Sequence, residues 1–119
     1  MSRGNPAYLY IQKMATEIKK IGGEGRPIKI TYGVIYRTAT DLKLKNLSEL
    51  DKLGTSDLKK FNDFIVSLYY YGLKAGAKSE GQQFTHSKED VKEWIFEMDM
   101  EQLTDLDYFN STGNDEEKN

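Results

Sequence analysis

Residues 57–75, DLKKFNDFIVSLYYYGLKA, limit the possible folds of this chain more than any other stretch. Thr55-Ser56 offer capping oxygens and Asp57 places a negative charge at the positive end of the dipole, so a helix is predicted from Asp57 to about Ala75. Gly76 supplies a stop. At 1.5 Å per residue the helix would be roughly 28 Å long. Leu58, Phe61, Phe64, Ile65, Leu68, Tyr71 and Ala75 draw one apolar stripe, with Lys59, Lys60, Asn62 and Asp63 turned to water. In the second half Val66, Tyr69, Tyr70 and Leu73 cover the opposite side as well. A helix apolar on every side is either the centre of its domain or a surface for another polypeptide. Both explanations stand at this point.

Upstream, Gly22, Gly23 and Gly25 separate two short runs, and the second alternates Ile28 and Ile30 with Lys29 and Thr31. Glycines supply the positive φ of a hairpin loop, and β-branched residues favour strands. The pattern predicts a β-hairpin with strands near Thr16–Ile21 and Arg26–Thr31. A helix follows over Val34 to Leu44, with Ile35, Ala39 and Leu42 on one side, then a short one over Leu47 to Leu53, capped by Asn46 or Ser48 and stopped by Gly54. Beyond a polar loop over Lys78 to Gln83, Ser87 and Asp90 are spaced as a capping box before a helix with Val91, Trp94, Ile95 and Met98 on one face. Asp99 precedes a last amphipathic piece that turns Leu103, Leu106 and Phe109 toward the body. The remaining ten residues, 110–119, contain no apolar side chain and are expected to be a disordered acidic tail. The expected fold is therefore α+β: a hairpin packed on four to five helices, one domain over residues 1–109.

Charge is unevenly placed. Residues 1–87 hold 14 Lys/Arg against 8 Asp/Glu, whereas residues 88–119 hold 3 against 11. Such a division implies complementarity within the chain or between copies, so a homo-oligomer is one expectation. The N-terminus MSRGNPAYLYIQK has no apolar core of a signal peptide, and no window approaches the ~18 apolar residues of a membrane span.

Few residues here suit chemistry. His86 is the one histidine and there is no cysteine, so a zinc site of the usual kind is not expected. His86 sits in a Thr-His-Ser context that predicts an exposed cap-region residue. Asp99 and Glu101, or Asp105 and Asp107, have the spacing of oxygen-ligand loops but not their glycine turn or terminal Glu. The GGEG turn is not followed by a helix or a GK[ST] sequence, so no phosphate loop is expected. Lys19, Lys20, Lys29, Lys43, Lys45, Lys59 and Lys60 are dispersed, which argues against nucleic-acid binding. No cofactor and no catalytic residue are expected, and the chain is not expected to be an enzyme.

Taken in order, the PIKITYG hairpin end, the LSEL helix, FIVSLYYYGLKAGAK and EDVKEWIFEMD resemble the phage tail assembly chaperones. Leu68, Tyr70, Gly72, Leu73 and Lys74 match that family's L-[WY]-x-G-L-K-like motif. Ser87, Glu89, Asp90, Val91, Trp94 and Ile95 match its [ST]-x-E-[DE]-V-x-x-[WL]-[IL] helix. The resemblance covers roughly Met14 to Phe109. It implies a non-catalytic role in phage or prophage tail morphogenesis: binding the tape measure protein and helping recruit tail tube subunits, in the host bacterial cytoplasm and not in the mature virion. Tyr69, Tyr70, Leu73, Trp94, Phe96 and Met100 are the candidate partner-binding residues, although the same side chains could complete the core. The alternative is a small nucleic-acid-binding regulator of a mobile element.

Overall fold

The computed structural model describes residues 16–53 and 57–109. The expected cap at Thr55-Ser56, the helix stop at Gly54 and the expected acidic tail over residues 110–119 lie outside the described residues. An antiparallel hairpin of β1 (Thr16–Ile21) and β2 (Glu24–Lys29) leads into α1 (Tyr32–Asp41) and a 3-10 helix (Leu47–Lys52). Then come α2 (Leu58–Ser79), α3 (Lys88–Phe96) and α4 (Met100–Leu103), and a further helical turn starts at Asp107. The fold is α+β.

The second strand starts two residues earlier than the expected Arg26 and ends at Lys29 instead of Thr31. The reason is the turn. Gly22 and Gly23 both take positive φ, 67° and 88°, the requirement of a two-residue type I′ connection, and so Glu24 pairs directly with Ile21. Thr31 is thereby released from the strand and becomes the N-cap of α1, its Oγ1 accepting from the Val34 N–H at 3.2 Å. The helix consequently begins at Tyr32, two residues before the expected Val34. It ends at Asp41, short of the expected Leu44, where Lys43 at φ 59° turns the chain.

α2 is the centre of the domain. Six consecutive residues, Phe64 to Tyr69, are buried, which is possible only where neighbours cover the helix all round. β2 and α1 lie against it, as does α3. Its first turn is different: Leu58, assigned above to the apolar stripe, is 83% exposed. Asp57 is itself the N-cap, accepting from the Lys60 N–H at 3.1 Å.

The helix does not stop at Gly76. It continues to Ser79, and Gly76 serves a packing purpose: a Cβ there would overlap the backbone carbonyl of Pro27 in β2. One turn earlier, a Cβ on Gly72 would come within 2.9 Å of the Ile28 and Ile30 side chains. The two glycines let a strand lie directly on the helix. Termination falls to Gly81, at φ 73°, where Gln82 N–H donates to the Ala77 carbonyl and Gly81 N–H to the Lys78 carbonyl in a Schellman motif.

The expected capping box at Ser87 and Asp90 is formed in both directions, each bond 3.1 Å long. A second box, Asp99 with Gln102, starts α4. Beyond it Leu103 and Leu106 are buried, and Phe109 packs edge-on against Phe64 at 6.4 Å.

Candidate functional site

The six candidate partner-binding residues divide into three environments. Tyr69 and Leu73 are 0% and 1% exposed, so the expectation that they offer a surface is corrected: they complete the core. Between them Gly72 admits β2, and the hairpin and the C-terminal segment cover what the sequence leaves apolar. Tyr70 is half-buried, its ring edge-on to Tyr71 and Phe84, with Lys74 Nζ 5.3 Å from its centroid.

Trp94 is also half-buried. Arg26 of β2 lies over its ring at 4.4 Å, and Phe84 and His86 approach at 6.4 and 4.8 Å. A Cβ on Gly22 would come within 2.6 Å of the same ring, so Trp94 clamps the hairpin turn to α3. His86, expected to be exposed, is instead half-buried in this aromatic ledge, its Nδ1 3.5 Å from Asp90. Only Phe96 and Met100 meet the expectation of exposure, at 59% and 63%. They flank the corner between α3 and α4, which the buried Val91, Ile95 and Leu103 anchor to the body.

Two polar clusters were not singled out in the sequence. In the first, residues of β1 hold the C-terminal segment. Lys19, only 9% exposed, donates from Nζ to the carbonyls of Gln102 and Asp105, and Tyr69 OH donates to the Leu103 carbonyl at 2.7 Å. Glu17 accepts from the Asp107 N–H at 3.0 Å. Burial pushes the Tyr69 hydroxyl far above its ordinary pKa, with Glu17 and Asp105 adding to the effect. Burial likewise raises Glu17, against the lowering effect of its bond from Asp107. The signal was present in the strand: Glu17 and Lys19 share parity with the core residue Ile21.

The second cluster centres on Asp41. Its Oδ2 accepts from Lys88 Nζ at 2.6 Å, Tyr71 OH at 2.9 Å and Ser67 Oγ at 3.2 Å. Partial burial opposes ionisation, yet these bonds and the Lys88 charge hold the Asp41 carboxyl below its usual range. An acid at a helix C-terminus and a lysine at a helix N-terminus each oppose the local dipole. Asp41 and Lys88 are placed that way because together they cross-link α1, α2 and α3. A carboxylate so held is a poor proton acceptor, and it is the group to which the Ser67 hydroxyl is directed.

Among the described residues no group of three or more His, Cys, Asp or Glu side chains is arranged to hold a metal ion. No described helix is long and apolar enough to cross a membrane. No protein-family model matches the chain, and no curated protein or solved structure does either.

Proposed function

We propose that this chain is a non-catalytic tail assembly chaperone of a phage or prophage, which coats the helical tape measure protein and helps recruit tail tube subunits in the bacterial cytoplasm without entering the virion. The observation that carries the reading is the α3–α4 corner, where Phe96 and Met100 remain exposed on a firmly anchored support. An aromatic ring and a flexible thioether suit a long apolar helix that presents many similar registers. A second exposed apolar pair, Tyr32 and Tyr36 with centroids 6.3 Å apart, lies on α1. The residues that carry the family resemblance support the reading in a different way, since Ser87 and Asp90 set the α3 cap while Val91 and Ile95 seat that helix.

The test is co-expression with the tape measure protein encoded in the same genome. The expected result is that the partner stays soluble and elutes together with this chain. A tape measure protein that precipitates equally with and without the chain would refute the proposal.

A further inference from the structure

On the flank where β2 and α1 meet the C-terminal half of α2 there is an open groove of about 820 Å³. Lys29 of β2, Arg37 of α1, and Lys74 and Lys78 of α2 line it, and no Asp or Glu does. None of these four cations belongs to any ion pair among the described residues. Of the dispersed lysines named above only Lys29 takes part: Lys74 and Lys78 lie one helical turn apart on α2, and the hairpin and α1 add Lys29 and Arg37.

The rest of the lining is informative. Tyr71 and Phe84 contribute aromatic surface between the cations. Thr31, Gln82 and Gln83 offer both hydrogen-bond donors and acceptors. A carboxylate-rich peptide would use the cations, and its backbone the hydroxyl and amides, but it offers no flat ring for Tyr71 and Phe84. A nucleotide chain uses all three: phosphates for the cations, sugar and phosphate oxygens for the amides, base faces for the rings. The concave shape suits a single strand, because a duplex groove is read by an element that protrudes.

We infer that this groove binds single-stranded nucleic acid, through its phosphates and without sequence preference. The inference is independent of the proposed tail function and does not involve Phe96 or Met100.

The experiment is fluorescence anisotropy of the full chain with a labelled single-stranded oligothymidylate, between about 50 and 200 mM NaCl. Four neutralised phosphates predict saturable binding with a slope of log K against log salt near −2.8, from about 0.7 per contact. Lys74→Ala/Lys78→Ala is expected to bring the slope to about −1.4 and to weaken binding about tenfold or more at the lowest salt. Lys59→Ala/Lys60→Ala, on the same helix but outside the groove, is expected to leave the curve unchanged. Thermal melts of both variants that match the parent show that the fold is intact. Three results would overturn the inference: no saturable binding at about 50 mM NaCl, identical curves for the parent and the Lys74/Lys78 variant, or displacement of the oligonucleotide by polyglutamate at equal charge as readily as by unlabelled strand.

Discussion

Tyr69 and Leu73 of α2 and the α3–α4 corner look alike in sequence and end in opposite environments. Both carry more apolar side chains than one helix face needs. On α2 the surplus is consumed: Gly72 and Gly76 let β2 lie against the helix, and the end of α4 closes over Tyr69. At the corner the Lys92 ammonium lies 5.8 Å from the Phe96 ring centre, yet Phe96 and Met100 both stay exposed. The difference is positional. A 22-residue helix at the centre of a small domain has neighbours on every side, whereas a nine-residue helix at the periphery has them on one. Apolar surplus therefore marks a binding surface only where the fold has no second element to place over it.

Substitutions can break this contrast, and the largest effect belongs to Gly76→Val. Its new side chain would strike the Pro27 carbonyl, with no flexible group able to yield, so a cost at or beyond ~3 kcal/mol and loss of the folded state in a denaturant titration are expected. Tyr69→Ala follows. Removing a wholly buried ring is expected to cost about 3–5 kcal/mol, while Tyr69→Phe, which only strands the Leu103 carbonyl, should cost about 1–2 kcal/mol. Near-native stability of Tyr69→Ala would return Tyr69 to the exposed surface.

Asp41→Asn gives a smaller effect with a pH signature. Its folded pKa lies below the usual value, so the carboxylate stabilises the fold above about pH 4 and that contribution is lost as the pH falls through the folded value. The variant should be less stable by about 1 kcal/mol at neutral pH and should converge with the parent in acid. Urea titrations at pH 7 and near pH 3 check both arms.

Much of the architecture was legible in the sequence because it rests on local chemistry. The Gly22-Gly23 turn, the Ser87–Asp90 box and the apolar stripe of α2 each depend on neighbours a few residues away. The errors came from distant contacts. Gly76 reads as a helix stop until Pro27, 49 positions earlier, is placed against it. Lys19, named in the sequence only as one of the dispersed lysines, is buried because the carbonyls of Gln102 and Asp105 accept from it. The same limit applies to the candidate surface. Helical spacing correctly set Phe96 and Met100 off the core face but put Tyr69 and Leu73 in the same class, because spacing does not reveal how many neighbours a helix has. Likewise the cations of the groove, spread over residues 29–78, formed no run that a reading along the chain could detect.

The contrast between the two regions is tested most directly by the smallest expected change in stability. Phe96→Ser/Met100→Ser is expected to shift the unfolding midpoint by no more than about 0.5 kcal/mol, since neither side chain is buried. Measured beside the parent in co-expression with the tape measure protein, the variant should fold normally and fail to keep that partner soluble. A variant that keeps the partner in solution as well as the parent does would contradict the assignment of this corner as the partner-binding surface.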